Sequence, residues 1–107
     1  MFMNWYNMDT PYFYYEVKEE LMIVEGDIDA SNVDQIVFLL QHKKPKIIVM
    51  GFLEIDDGPT LAIFVSALRK IMPLTLVEAP QMLAHTIYKI DALGTAKITL
   101  KNPRQGP

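Results

Sequence analysis

The sequence predicts an α/β protein, with a mixed sheet of about five strands and helices packed on it. The segment 46–50, Lys-Ile-Ile-Val-Met, is rich in β-branched apolar side chains, which is typical of a strand covered on both faces. From Thr60 onward the apolar residues recur at helical spacing instead. Strand-like and helix-like segments follow one another in the order ββαβαβαβ, which favours parallel strands joined by right-handed crossovers.

The first half of the chain predicts a hairpin followed by a helix. Residues 12–18 and 21–25 are strand-like, and the short polar link Glu19–Glu20 between them is typical of a hairpin turn. Ser31, with Asp34 three residues later, resembles a capping box, so we expect the first helix to begin there. The apolar face of this helix would comprise Val33, Ile36, Val37 and Leu40.

The second half predicts two more helices and two more strands. Residues 74–77 form a short strand-like run, and residues 95–100 alternate as an edge strand does. Pro80 suits the first turn of a third helix, and Gly94 is placed to cap its end. The apolar stripe of the second helix comprises Leu61, Phe64, Val65, Leu68 and Met72.

Length and composition indicate one domain, residues 1–107, with a loose lead-in at 1–11 and a polar tail at 101–107. The net charge of −3 argues against a dedicated nucleic-acid binder, since neutralising phosphates requires a basic face. The chain has no cysteine, which excludes disulfides, thiolate nucleophiles and cysteine-ligated metals. The sequence points to no cofactor.

The chain carries no targeting or membrane-spanning signal that we recognise. Its first residues lack the basic start and apolar run of a signal peptide. No stretch approaches the roughly 18 apolar residues that a membrane helix needs. We therefore expect a cytoplasmic protein without membrane insertion.

Acidic residues gather at the predicted ends of two parallel strands. Asp27 and Asp29 follow the hairpin, and Glu54, Asp56 and Asp57 follow the central strand. Because ligands bind at the carboxyl ends of parallel strands, we expect these side chains to lie near one another at one edge of the sheet.

Three interpretations of this acidic group remain open. Asp57 with Gly58 and Pro59 can simply cap the second helix, because Asp is a preferred N-cap and Pro fits a first helical turn. The carboxylates could instead bind Mg²⁺ or belong to a phospho-receiver, although the element order differs from that of a receiver. They could also form a surface that meets a partner.

We find no catalytic constellation. His42 and His85 are the only histidines, and they show no paired spacing with the two serines and the carboxylates. The sequence therefore predicts a protein that is not an enzyme, with no metal site.

Several segments resemble STAS domains, the sulfate transporter and anti-sigma factor antagonist family. The run 26–31, Gly-Asp-Ile-Asp-Ala-Ser, is similar to the family's entry into its first helix. The runs 45–49 and 53–57 resemble its central strand and the approach to an Asp-Ser-Ser-Gly turn, and 61–65 and 74–77 resemble the helix and strand that follow. The resemblance extends over roughly residues 12–100 in element order.

The resemblance implies a regulatory module that binds a protein partner, an anti-sigma factor of the Ser/Thr kinase-like type. In the family, a Ser or Thr in the turn is phosphorylated and binding is turned off; here Gly58 and Pro59, or Asp57 and Gly58, occupy the hydroxyl positions. Thr60 is the nearby hydroxyl and a candidate displaced phosphoacceptor. The expected partner-binding and switch surface comprises Asp27, Asp29, Ser31, Asp56, Asp57, Gly58, Pro59 and Thr60.

Two other functions remain open from the same resemblance and site. One is an accessory STAS subunit of a lipid-transport ATPase complex, and the other is a small-ligand sensor. The sequence leaves the oligomeric state open between a monomer and a homodimer.

Overall fold

The computed structural model describes residues 13–90 and 97–104, and it confirms the α/β class. The lead-in at 1–11 and the glycine expected to cap the third helix, Gly94, lie outside the described residues. The elements are β1 Phe13–Lys18, β2 Leu21–Ile28, α1 Val33–Lys43, β3 Ile47–Val49, β4 Leu53–Ile55, α2 Gly58–Arg69, β5 Leu74–Val77, α3 Gln81–Ile90 and β6 Ile98–Lys101.

The strands form one mixed sheet in the order β1-β2-β3-β5-β6, with β4 paired to the end of β2. β1 and β2 are the predicted antiparallel hairpin, and the other pairings are parallel. The strands β2, β3, β5 and β6 succeed one another across the sheet in chain order. Because right-handed crossovers that all advance in one direction stay on one side, α1, α2 and α3 lie on the same face of the sheet.

The central strand is interrupted by a bulge. Ile23 pairs with Val49 and Gly26 pairs with Leu53, so β2 advances three residues while the β3–β4 segment advances four. The extra residue shifts the alternation of buried side chains, and Met50 and Leu53 are both fully buried. The strand predicted at residues 46–50 is shorter, Ile47–Val49, and residues 53–55, which were not predicted as a strand, form β4. The sheet is therefore about five strands wide, as predicted, but contains six strands.

Gly26 shows why the bulge needs a glycine opposite it. Its φ is 106°, in the left-handed region that side chains with a Cβ rarely adopt. Its N–H donates to the carbonyl of Phe52 at 2.9 Å, which ties the end of β2 to the bulge.

The core lies between the helix-bearing face of the sheet and the three helices. Met22, Ile48 and Leu76 are buried on successive strands, and Phe64 and Leu68 of α2 are buried against the same cluster. In β2 and β5 these buried residues alternate with half-buried ones. The sheet is thus covered by helices on one face only, within the part of the chain that is described.

Arg104 closes the gap that the bulge leaves between β4 and β5. Its guanidinium donates to the carbonyls of Glu78 at 3.1 Å, Met50 at 3.1 Å and Leu53, and it reaches a Glu54 carboxylate oxygen at 3.3 Å. The backbone N–H of Arg104 donates to the Ala79 carbonyl at 2.9 Å. The first residues of the expected polar tail at 101–107 are therefore part of the fold: Lys101 ends β6, and Arg104 is hydrogen-bonded to the sheet.

No helix in the described ranges is both long and apolar enough to cross a bilayer.

We expect Arg104→Ala to lower the free energy of unfolding by about 2 kcal/mol, because the carbonyls of Glu78, Met50 and Leu53 each lose a donor at a partly buried site. Arg104→Lys should recover only part of this loss, since an ammonium cannot reproduce the fork of a guanidinium. Urea unfolding would measure both.

The matched control is Arg69→Ala, which removes an exposed arginine from the last turn of α2. Its effect should stay within about 0.5 kcal/mol. Equal stability of the Arg104→Ala and Arg69→Ala proteins would contradict a bracing role for Arg104.

Candidate functional site

The candidate site is the edge of the sheet at which β2 and β4 end. Asp27 pairs directly with Glu54, and Ile28 pairs with Ile55, so Asp29 and Asp56 each follow the last pair of the ladder. The structure therefore brings together the two acidic segments that the sequence analysis expected to meet. We call residues 27–31 and 54–60 the acidic edge.

The loop from Asp29 to Asn32 is fixed by its own polar groups. The Asp29 carboxylate accepts from the Ser31 N–H at 2.8 Å and from the Ser31 hydroxyl at 2.5 Å. The Asn32 side chain accepts from the Asp29 N–H and donates to the Asp27 carbonyl, both at 2.9 Å. These bonds hold the loop with Asp29 at its centre.

The capping box expected at Ser31 is wrong. The N-cap of α1 is Asn32, its side chain makes no cap hydrogen bond, and the helix begins at Val33. The Ser31 hydroxyl donates to Asp29 instead of accepting from the helix. The physical reason is competition between two local hydrogen bonds. The Asp29 carboxylate is a charged and therefore strong acceptor for the Ser31 hydroxyl, and this bond is formed in place of a cap on the helix.

The pKa of Asp29 is lowered from its ordinary value. The hydrogen bond from the Ser31 hydroxyl is the largest cause, followed by the one from the Ser31 N–H, because both favour the charged carboxylate. Asp29 therefore stays ionised to lower pH than an isolated aspartate.

The turn before α2 is a fully formed helix cap. Asp57 is the N-cap, with one carboxylate oxygen accepting from the Thr60 N–H at 2.7 Å and the other from the Thr60 hydroxyl at 3.0 Å. Gly58 and Pro59 occupy the first turn, where a proline loses no hydrogen bond. The expected capping by Asp57 is confirmed.

Thr60 is the least accessible polar residue of the acidic edge. It is only 1% exposed, and its hydroxyl donates to Asp57. Transfer of a phosphate to this oxygen would require the first turn of α2 to open. The folded geometry therefore does not favour Thr60 as a displaced phosphoacceptor.

The rest of the acidic edge differs in how freely it can meet another molecule. Asp27, Ser31, Asp56, Gly58 and Pro59 are exposed, and Asp57 is half-buried. Glu54 is exposed too, but it is held by the salt bridge to Arg104. Within the described ranges no group of three His, Asp or Glu side chains is arranged to hold a metal ion.

Phe52 is the feature that the sequence analysis missed. It lies in the turn between β3 and β4 and is 76% exposed, the highest value among the large apolar side chains described. Its carbonyl accepts from Gly26, which places it beside the start of the acidic edge. The signal in the sequence was the apolar run on both sides of Gly51, which a single strand cannot bury on one face.

Two open grooves lie away from the acidic edge. One, of about 310 Å³, is lined by Gln81, Met82 and His85 on α3. The other, of about 320 Å³, is lined mainly by residues at the amino ends of β3, β5 and β6.

The chain matches no protein-family model and no curated protein.

We expect Asp57→Ala to lower the free energy of unfolding by about 1–2 kcal/mol, because the Thr60 N–H and hydroxyl both lose their acceptor. Asp57→Asn should lose less, since its amide oxygen can still accept from the Thr60 N–H. Urea unfolding of the two proteins measures the difference. An Asp57→Ala protein as stable as the parent would show that the cap contributes nothing.

We expect the stability difference between the parent and Asp29→Asn to depend on pH. A carboxyl whose pKa is lowered by folding stabilises the fold above its unfolded pKa of about 3.9, and the contribution is lost as pH falls through the lower folded pKa. The melting temperatures should therefore differ at neutral pH and converge in acid. A difference that is constant from neutral pH into the acid range would contradict this.

Proposed function

We propose that this protein is a non-catalytic regulatory module that binds a protein partner through the acidic edge, as an anti-sigma factor antagonist does. The observation that carries the proposal is an acidic surface, held by its own hydrogen bonds, at the carboxyl ends of parallel strands, beside a highly exposed phenylalanine. Such strand ends are a common position for binding sites in α/β sheets. A regulator of this kind would act in the cytoplasm.

The chemistry of the edge favours a protein as the partner. Aromatic side chains supply much of the energy at the centres of interfaces, and charged rims steer association. Phe52 would be the anchor, and the exposed carboxylates Asp27 and Asp56 would lie on the rim. The complementary surface would be basic, with an apolar pocket for the phenyl ring.

The internal hydrogen bonds of the edge support binding without rearrangement. Asp29 and Asp57 are engaged within their own loops, so the backbone that presents Asp27 and Asp56 is already ordered. Preorganisation of this kind lowers the entropy cost of association.

We further propose that binding is not switched at Thr60. Its hydroxyl is buried and donates to Asp57, and the two preceding positions carry no hydroxyl. The carboxylates give the turn a fixed negative charge where the family's switch would add a phosphate. Binding would then be governed by the amounts of the two proteins or by another input.

Asp56→Lys is the variant that tests this surface. Asp57→Lys would also remove the cap of α2, whereas Asp56 is exposed and precedes the cap. We expect Asp56→Lys to weaken partner binding about tenfold, or about 1.4 kcal/mol, through slower association and a smaller dependence on salt. Glu20→Lys is the matched control, with the same charge change in the hairpin turn at the other end of the sheet.

The partner itself is to be recovered by affinity capture from the native extract, with mass spectrometry of the captured proteins and of the intact bait. A Ser/Thr kinase-like anti-sigma factor whose capture is reduced by Asp56→Lys and not by Glu20→Lys would support the proposal. Transport-ATPase subunits would point to the accessory role, and a small molecule carried by the bait would point to a sensor. A phosphate on Thr60 would overturn the proposal of an unswitched surface.

A further inference from the structure

The face of the sheet opposite the helices carries an apolar centre. Side chains on this face alternate with the buried ones, and Ile47 is 39% exposed while its neighbours are half-buried. No described helix lies over them. We call this the open face; its centre comprises Leu21, Ile23, Ile47, Val49, Thr75 and Val77.

The register of the sheet arranges the open face in two rows. One row runs from an acid on β1 to a base on β6: Glu16, Ile23, Val49, Val77 and Lys101. Its two charged ends are four strand spacings apart, roughly 19 Å, so they cannot pair within one chain. Each is exposed at its own edge of the sheet.

The second row lies next to the first and varies in side-chain size: Lys18, Leu21, Ile47, Thr75 and Thr99. The threonines are smaller than the residues on β2 and β3. A groove of about 320 Å³ lies above them, lined in part by Ile47, Thr75 and Thr99.

We propose that the open face is a dimer interface, in which a second copy of this chain packs on it about a twofold axis that runs parallel to β3. Such an axis reverses the order of the strands, so β1 of each copy lies over β6 of the other. Glu16 then faces Lys101 of the second copy, and this opposite-charge pair occurs twice. The central Val49 and Ile47 face their own counterparts.

The same rotation matches large side chains with small ones. Leu21 of each copy falls over Thr75 of the other, at the groove of about 320 Å³. Ile23 falls over Val77, which extends the apolar contact across the centre. Two sheets packed face to face lie about 10 Å apart, a separation at which such side chains interdigitate.

The alternative twofold axis, perpendicular to the strands, would place Glu16 over Lys18 of the other copy, but it would also set like charges against each other. It would place Glu25 of one copy near the acidic hairpin turn, Glu19–Glu20, of the other copy. Like charges placed against each other oppose association. The axis parallel to the strands separates Glu25 from that turn and brings it toward Lys101, while Lys18 falls over Thr99.

The size of the face predicts a reversible dimer. The central strands span roughly 20 Å by 15 Å, an area of roughly 300 Å². A standard stable interface buries roughly 800 Å² per partner, so this contact is smaller. The dimer should therefore form and dissociate with concentration. The inference does not depend on the function proposed above, since the Asp56–Thr60 turn lies outside the contact.

Sedimentation velocity of the full chain over a wide concentration range tests the proposal. The parent should pass from monomer to dimer, and Glu16→Lys and Lys101→Glu should each weaken the dimer about tenfold. The double variant carrying both reversals should regain most of the lost affinity, because it restores opposite charges across the axis. Restoration is the informative result, since a damaged fold would not be repaired by a second reversal.

The controls are Glu20→Lys and Lys43→Glu, which make the same charge changes away from the open face and should leave the dimer unchanged. Thermal melting of each variant verifies its fold. A parent that stays monomeric at every concentration would overturn the proposal, as would a double reversal no better than the single ones. If the affinity lost in Glu16→Lys were instead regained by adding Lys18→Glu, the twofold axis would be perpendicular to the strands, and the proposed arrangement would be wrong.

Discussion

The fold depends on how the sheet accommodates one extra residue in its central strand. Between the Ile23–Val49 and Gly26–Leu53 pairs, the segment opposite β2 contains one extra residue. Before this residue the segment, as β3, pairs with β5; after it the segment, as β4, pairs with β2 and not with β5. Carbonyls that would face a neighbouring strand then need other donors, because an unpaired buried carbonyl is costly. Arg104 supplies them for Met50 and Leu53. An arginine suits this position since its fork of donors can serve several acceptors at once.

The same bulge sets the chemistry of the edge. The bulge shifts the alternation of inward and outward side chains. As a result, the side chains of Leu53 and Ile55 point into the core, and Glu54 is exposed next to Asp27. It also forces Phe52 into a turn, where no neighbouring strand covers it. Without the extra residue, the inward and outward positions after Met50 would be exchanged. The acidic surface and its aromatic neighbour therefore have a common structural cause.

Local signals made much of the fold predictable from the sequence. The hairpin around Glu19–Glu20 and the cap at Asp57 depend on residues close in the chain, and both are confirmed. The capping predicted at Ser31 is wrong because two local partners compete for its hydroxyl, and spacing alone does not decide between them. Arg104 could not be predicted, since it binds carbonyls more than fifty residues away in the chain.

For the candidate site, the sequence identified the acidic residues and the edge at which they meet, but not which of them are free. That distinction depends on individual hydrogen bonds. Thr60 is buried and its hydroxyl donates to Asp57, and Glu54 is held by Arg104, whereas Asp56 is exposed. The exposure of Phe52 is not predictable from its neighbours in the chain, because it follows from the bulge, and a bulge appears in the sequence only as a change of alternation.

The two proposed surfaces have a geometric consequence when they are taken together. A twofold axis parallel to the strands leaves the strand direction unchanged, so both acidic edges of a dimer would point the same way. A partner that is itself twofold could then engage both edges at once, and the second contact would form at a high effective concentration. Each edge alone could bind weakly and still give a tight complex. Dissociation of the dimer on dilution would then weaken partner binding without any change at the acidic edge, which gives the module a means of regulation that does not require a phosphorylated residue.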